Sequence, residues 1–289
     1  MPTVTLCAFA DEAGKAFSDQ IAAMRRNHVP YLEMRRVDDK NVTELTLAEA
    51  REYARALADN GLAVWSVGSP IGKTRITADF GEVLDTLKHT CELAGELGTD
   101  KIRMFSFRHA YEARQEVLER LCRMVETAAA YGVTLYHENE KEIYGDVAAR
   151  VKDIMDNVPG LKFVYDPANY IQVGERADDT LPLFHARTDY FHIKDVVAQT
   201  GELVPAGYGD GQIARLIDMI ADDKVLTVEP HLAIFDGFAQ IDGSEMKHKF
   251  RFQSNGEAFD AAVGALRTLL AAAGYREGKG EAEWQWKRA

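Results

Sequence analysis

The chain has 289 residues and a formal net charge of −12, and 46% of its residues are hydrophobic and 28% are charged. This length suits one eightfold α/β barrel, and the composition is that of a globular protein with a sizeable core. The acidic balance disfavours a nucleic-acid-binding protein, which needs a basic surface to displace counterions. We therefore expect no nucleic-acid partner.

The cysteines and the N-terminal residues indicate the compartment. Cys7, Cys91 and Cys122 are odd in number and widely spaced, which matches neither a disulfide framework nor a zinc finger. The first residues lack the basic region and long apolar core of a signal peptide, and no run of about 18 apolar residues occurs in the sequence. These features predict a cytoplasmic protein with free thiols and no membrane partner.

Strands and helices are predicted to alternate along the chain. Eight such pairs favour a closed parallel (β/α)8 TIM barrel over an open doubly wound sheet. No GxGxxG motif opens the first helix, which removes the main support for a dinucleotide-binding fold. Short apolar runs bounded by turn residues predict strands at 4–10, 31–34, 62–67, 101–105, 133–136, 161–165, 189–193 and 225–228.

We expect one domain over residues 1–289, with two less regular parts. The connection at about 230–255 is long for a barrel loop and predicts a lid. Residues 278–289 are predicted to be a flexible tail. The helical exterior shows no clear dimer stripe, so a homo-oligomer stays open. Four basic residues of the lid would either contact a phosphate or form a solvated charge run, namely Lys247, His248, Lys249 and Arg251.

Four consecutive strands end in residues of the types that bind metals: Glu138, Asp166, His192 and Glu229. They are spaced by roughly the 30 residues of a βαβ repeat, so their side chains should lie at one rim of the barrel, where such enzymes keep their chemistry. Any one of them alone would more often be a surface carboxylate or a structural histidine. Together they predict a site for one divalent metal ion, namely Mn²⁺, Co²⁺, Mg²⁺ or Zn²⁺.

The segments HENEKEIYG, YDPANY, FHIKD and VEPHL resemble the metal motifs of the xylose isomerase-like TIM barrels. That superfamily contains sugar phosphate isomerases and epimerases, inosose dehydratases and endonuclease IV. The segments CAFADEAG, YLEMRRVD, SVGSPIGK and IRMFSF resemble the bacterial sugar phosphate isomerase/epimerase branch in particular. The resemblance extends over nearly the whole chain. It implies that Glu138, Asp166, His192 and Glu229 are metal ligands and that Glu138 and Glu229 are also the catalytic acid/base pair.

Two carboxylates on opposite sides of a bound ketose can move a proton at the carbon beside the carbonyl. One removes the proton to form an enediolate, which the metal stabilises, and the other returns a proton. Return to the same carbon inverts it, and return to a different atom moves the carbonyl. The leading interpretation is therefore a divalent-metal-dependent isomerase or epimerase whose small-molecule substrate is a sugar, a sugar phosphate or a polyol ketone.

Three other functions stay open. An inosose-type dehydratase would use the same metal and base but expel a β-hydroxyl group. A phosphodiester hydrolase of the endonuclease IV type would need further histidines, which the first four strand ends lack. A non-catalytic barrel would only bind a sugar or a partner. Ketose 3-epimerases of this superfamily usually have a histidine and an arginine where this chain has Asn169 and Ala198, so their substrate contacts are not reproduced.

Four residues are candidate substrate contacts: Lys73, Asn169, Lys194 and His231. Lys194 shares strand parity with His192 and would neutralise an enediolate or a phosphate, or else pair with a carboxylate such as Glu229. His231 would bind substrate or support the metal ligands. Lys73, in GSPIGK, would enter the barrel mouth or stay solvated. The GYGDGQ loop at 207–212 offers backbone amides to an anion, although a tight turn is the preferred explanation for its glycines.

Overall fold

The computed structural model describes residues 2–232, 250–278 and 284–288. Eight parallel strands form its centre, and the first and last of them pair to close a barrel, with Val4 opposite Lys224 and Ala8 opposite Val228. The strands are β1 (Thr3–Ala8), β2 (Tyr31–Met34), β3 (Ala63–Gly68), β4 (Lys101–Met104), β5 (Thr134–Glu138), β6 (Lys162–Tyr165), β7 (Tyr190–Ile193) and β8 (Lys224–Val228).

Helices cover the outside of this barrel and connect successive strands. They are α1 (Phe17–Arg26), α2 (Leu47–Asp59), α3 (Phe80–Glu96), α4 (Arg114–Ala129), α5 (Ala148–Asn157), α6 (Pro167–Gln172), α7 (Ala177–Phe184), α8 (Ile213–Asp218) and α9 (Asn255–Ala272). Short 3₁₀ turns occur at Ala10–Glu12, Val42–Glu44, Tyr144–Asp146 and His185–Arg187, and small two-stranded hairpins join Arg36–Val37 to Lys40–Asn41 and Asp195–Val196 to Leu203–Val204.

The strand alternation divides the core into two layers. One layer fills the space between strands and helices and is built from aliphatic side chains such as Leu6, Leu121 and Leu135. A smaller cluster, Cys7, Tyr136, Val164, Tyr190 and Val225, packs separately from it. The predicted (β/α)8 TIM barrel is confirmed, and each predicted strand overlaps an observed one.

The C-terminal segment differs from the sequence-based expectation. Within the predicted flexible tail, Gln285–Arg288 forms a strand, β10, antiparallel to β1 and to a short strand β9 (Tyr275–Glu277). Trp286 is buried, with the guanidinium of Arg267 5.4 Å from its ring centroid. The prediction was wrong for these residues because the pairing with β1 gives their backbone groups partners and places the indole in the core.

Most of the predicted lid, including Lys247, His248 and Lys249, falls at 233–249, outside the described residues. Its assignment as a lid stays a prediction. Among the helices of the described ranges, none is both long and apolar enough to cross a membrane.

Candidate functional site

The four predicted strand-end residues meet at the carboxyl end of the barrel. Glu138 is the last residue of β5, His192 lies in β7, and Asp166 and Glu229 directly follow β6 and β8. All four are buried, and one potential ligand atom from each lies within 4.8 Å of the others. The structure therefore brings together the side chains expected to bind a metal.

The ends of β5 and β6 are joined by a reciprocal pair of hydrogen bonds. The amide group of Asn139 donates to the carbonyl oxygen of Asp166 at 2.9 Å, and the backbone N–H of Asp166 donates to Asn139 Oδ1 at 2.9 Å. Asp166 also caps α6, because its Oδ1 accepts from the backbone N–H of Asn169 at 3.0 Å. These bonds use the backbone and Oδ1 of Asp166, while Oδ2 lies 2.6 Å from Lys194 Nζ.

His192 lies between the carboxylates. Its Nδ1 is 3.1 Å from Glu138 Oε1 and 3.0 Å from Glu229 Oε2. Phe9 packs edge-on against the imidazole, with ring centroids 5.1 Å apart. The ring is thus held by packing on one side while Nδ1 faces two of the other candidate ligands.

Three of the four candidate substrate residues contact this cluster. Lys194 Nζ lies 2.6 Å from Asp166 Oδ2 and 3.6 Å from Glu229 Oε2. Asn169 donates to Glu138 Oε1 at 3.2 Å, and His231 Nε2 is 3.1 Å from Glu229 Oε1. Lys194 therefore forms the carboxylate pairing that was one of its two predicted roles.

The fourth candidate, Lys73, occupies a different environment. Its Nζ pairs with Glu140 Oε2 at 2.9 Å and lies 4.2 Å from the centroid of the Phe105 ring. Glu140 and Phe105 both lie outside the four-residue cluster, so a substrate role for Lys73 stays a prediction.

Four charged residues around the cluster were not predicted from the sequence. Glu33 in β2 and Arg103 in β4 lie buried, and Arg103 Nε is 3.4 Å from Glu33 Oε1 and 3.2 Å from Glu138 Oε2. Arg35 Nη1 is 3.2 Å from Glu229 Oε1, and Glu12 Oε1 lies 3.3 Å from Arg35 Nη2. The sequence signal for Glu33 and Arg103 was a charged residue within a short apolar strand, as in YLEM and KIRM.

Burial and charge act against each other in this cluster. Burial opposes the ionisation of Glu138, but His192 and Arg103 outweigh it and lower the pKa of Glu138 to about 2. Lys194 and His192 likewise hold the pKa of Glu229 well below its usual value despite burial. Burial dominates at Asp166 and raises its pKa to about 6. The pKa of His192 is well above its ordinary value because Glu138, Glu33 and Glu229 overcome the effect of burial.

The donor set fits a divalent cation. Three carboxylates and an imidazole are ligands that Mn²⁺, Co²⁺, Mg²⁺ and Zn²⁺ accept. Asp166 Oδ2 and Glu229 Oε2 are buried and accept no hydrogen bond of normal geometry from the described residues, although the cationic groups of Lys194 and His192 lie near them. Both oxygens lie within ion pairs, and a bound cation would give each of them a further electrostatic partner.

The glycine loop after β7 binds the carboxylate of Asp195, an anionic side chain of the same chain. The backbone N–H groups of Gly207 and Gly209 donate to Asp195 Oδ2 at 2.8 and 3.1 Å, and that of Gly211 donates to Oδ1 at 2.8 Å. A Cβ atom at Gly209 would lie 2.4 Å from Asp195 Oδ1, so glycine is required there. The turn was the preferred explanation for these glycines, and the Asp195 carboxylate explains their spacing.

The chain matches no curated protein sequence. Solved structures share its fold at low sequence identity. The probable 3-DHS dehydratase AsbF of Bacillus anthracis has a TM-score of 0.70 at 17% identity, covering 92% of this chain and 99% of that chain.

Two further structures bear on the site. The IOLI protein, whose structure has a bound zinc atom, has a TM-score of 0.70 at 14% identity, with coverage of 93% of this chain and 99% of that chain. An L-ribulose 3-epimerase has a TM-score of 0.65 at 20% identity, with coverage of 94% and 97%. At these identities the similarity establishes the fold.

Family membership rests on the sequence model of one family, which matches residues 21–269. This range spans most of the chain and includes β2 to β8 with all four residues of the cluster. The predicted family is thereby confirmed: the chain belongs to the xylose isomerase-like TIM barrel family.

Proposed function

We propose that the chain is a divalent-metal-dependent isomerase or epimerase that acts on a sugar or a related polyol ketone. The observation that supports this most directly is the meeting of Glu138, Asp166, His192 and Glu229 in one buried cluster at the carboxyl end of the barrel. Barrels of this type hold their active sites at that end.

Four side chains would hold the metal: Glu138, Asp166, His192 and Glu229. When bound, a divalent cation would act as a Lewis acid that stabilises the negative charge developing on a substrate oxygen. Lys194, 2.6 Å from Asp166 Oδ2, would add a fixed positive charge beside the same region.

Glu138 and Glu229 are the proposed acid/base pair. Glu138 Oε1 and Glu229 Oε2 approach the same nitrogen of His192, so the two carboxylates converge on one point of the site. The cationic neighbours of each lower its pKa, so either carboxylate can serve as the base. One would take a proton from the carbon beside a carbonyl and become protonated. The other, after taking up a proton from solvent, would give that proton to the opposite face of the enediolate.

The described residues around the cluster suit hydroxyl groups. Asn169 and His231 each contact one of the two carboxylates and have polar atoms that bind hydroxyls. Among the described residues, two of the groups considered as phosphate contacts are already paired, since Lys73 binds Glu140 and the amides of the GYGDGQ loop bind Asp195. These two pairings favour an unphosphorylated sugar over a sugar phosphate, while the basic residues at 247–249 fall outside the described ranges.

Proton exchange tests the proposal without knowledge of the exact sugar. A panel of ketoses, each with and without its phosphate ester, would be incubated with the Mn²⁺-loaded protein in deuterated water, and deuterium at carbon read by NMR. We expect exchange with at least one ketose, and a loss on the order of 10²–10⁴-fold in Glu138→Gln and in Glu229→Gln.

Glu142→Gln is the matched control, because this exposed glutamate of the same loop lies outside the cluster, 3.9 Å from Arg108. It should exchange like the wild type. Full exchange in both glutamine variants of the pair, or none with any ketose in the wild type, would contradict the proposal.

A dehydratase is the second candidate. Asn169 and Ala198 stand where related ketose 3-epimerases usually have histidine and arginine, so the substrate contacts of those epimerases are not reproduced. The fold is also similar to that of a probable 3-DHS dehydratase. Mass spectrometry of the product separates the two reactions, since dehydration removes water and isomerisation leaves the mass unchanged.

A further inference from the structure

Glu33 lies outside the four-residue cluster but reaches it from β2. It is fully buried, and the register between β2 and β3 shifts between Leu32 and Glu33. Irregularities of this kind redirect a side chain, commonly next to a functional site. The carboxylate of Glu33 contacts residues of β4 and β7, which are not neighbours of β2 in the sheet.

The main contact of Glu33 is with His192. Glu33 Oε2 is 3.0 Å from His192 Nε2, while the other ring nitrogen, Nδ1, faces Glu138 and Glu229. An ionised carboxylate only accepts hydrogen bonds, and a neutral imidazole has one N–H group. A cation bound by the four candidate ligands requires the lone pair of Nδ1, so with such a cation present the one proton of a neutral His192 belongs on Nε2, where Glu33 can accept it.

The surroundings of Glu33 support this arrangement. Arg103 lies between Glu33 and Glu138, and its Nη1 donates to the carbonyl oxygen of Ser69 at 2.9 Å, so a fixed guanidinium offsets the buried negative charge. Gly68 leaves the necessary room, because a Cβ atom there would lie 3.3 Å from both Arg103 Nη2 and Glu33 Cγ. The Tyr190 hydroxyl donates to Glu33 Oε1 at 3.4 Å.

We propose that Glu33 is a positioning residue for the metal site: it holds the Nε2–H tautomer of His192 and so presents Nδ1 to a divalent cation. This inference rests on the proposed metal site. Carboxylates that bind the second nitrogen of a ligand histidine fix its tautomer and ring orientation, and their loss typically weakens metal binding 10–100-fold.

The test measures Zn²⁺ affinity by competition with a chromophoric chelator, with no sugar present. We expect dissociation constants raised about 10-fold in Glu33→Gln, which keeps an acceptor oxygen, and on the order of 100-fold in Glu33→Ala. Glu142→Gln is the control, since this exposed glutamate lies outside the cluster and pairs with Arg108. Its affinity should equal that of the wild type.

A double-mutant cycle separates this role from a general effect on the site. In a His192→Ala background, Glu33→Gln should cause no further loss of Zn²⁺ affinity. An equal loss in both backgrounds would mean that Glu33 acts through Arg103 and Glu138 and would overturn the proposal.

Nitrogen-15 NMR of histidine-labelled, Zn²⁺-loaded wild type reports the tautomer without any variant. The proposal requires a protonated Nε2 and a metal-shifted Nδ1 at His192, and the reverse pattern would refute it, as would unchanged affinity in a folded Glu33→Ala. A wild type that binds no Zn²⁺ would instead remove the metal site and the proposed function together.

Discussion

The Asp195 carboxylate offers a quantitative test of the loop that follows β7. It is almost fully buried and accepts backbone hydrogen bonds from Gly207, Gly209 and Gly211. Asp195→Ala would leave these three donors without their acceptor. Each hydrogen bond to a charged group is worth about 1.5–3 kcal/mol, but water can reach part of this surface loop, so we expect a loss of about 3 kcal/mol in the free energy of unfolding.

Thermal unfolding measures this loss, at roughly 2–4 °C per kcal/mol for a chain of this size. Asp195→Asn is the matched control, because it keeps one acceptor oxygen, and it should lose about half as much free energy as the alanine variant. A small carboxylate such as acetate should bind the emptied cradle and raise the melting temperature of Asp195→Ala in a concentration-dependent manner. The wild type should show no such rise. A melting temperature of Asp195→Ala equal to that of the wild type, or equal effects of acetate on both, would refute the reasoning.

Three further substitutions test other parts of the structure by urea unfolding. Arg103→Met removes one of the cations that pair with the buried carboxylates of Glu33 and Glu138 and should lower the free energy of unfolding by about 3–5 kcal/mol, so an unchanged midpoint would contradict the buried ion pairs. Trp286→Ala should lower the free energy of unfolding by about 3–5 kcal/mol, because the indole of this β10 residue is buried. The same substitution in a flexible tail would leave that free energy unchanged. Burial lowers the pKa of His185 below 6.5, so the unfolded chain binds a proton first as the pH falls, and wild-type stability should decrease below pH 6.5. His185→Gln should remove up to about 1.4 kcal/mol per pH unit of that slope, and an identical pH profile would show that another group is responsible.

Local sequence patterns were sufficient to predict the barrel and the positions of the four residues of the cluster. In a parallel barrel every strand ends at the same rim, so residues such as Glu138 and Asp166 could be placed together from strand order alone. The alternation of side chains along a strand also put Lys194 on the same side as His192, and the ion pair between Lys194 and Asp166 agrees with that placement.

Contacts across the closed barrel could not be predicted from strand order. Glu33 and His192 are separated by 159 residues in sequence and by several strands in the sheet, and only closure of the barrel brings them together. The strand at Gln285–Arg288 was missed for a related reason, since its short polar and aromatic sequence forms a strand only through pairing with β1. Asp195 could not be identified from the sequence as the anion that the glycine loop binds. The two are brought together by a hairpin, in which Asp195–Val196 pairs with Leu203–Val204.

We propose that the cluster at the carboxyl end of the barrel binds one divalent metal ion. Elemental analysis of the purified protein tests it most directly, with wild type beside His192→Ala and Asp166→Ala and with folding of both variants checked by circular dichroism. We predict close to one divalent metal per wild-type chain and a loss of that metal in both folded variants. A wild type that binds no metal after incubation with Mn²⁺, Co²⁺ or Zn²⁺, or variants that keep it, would contradict the claim.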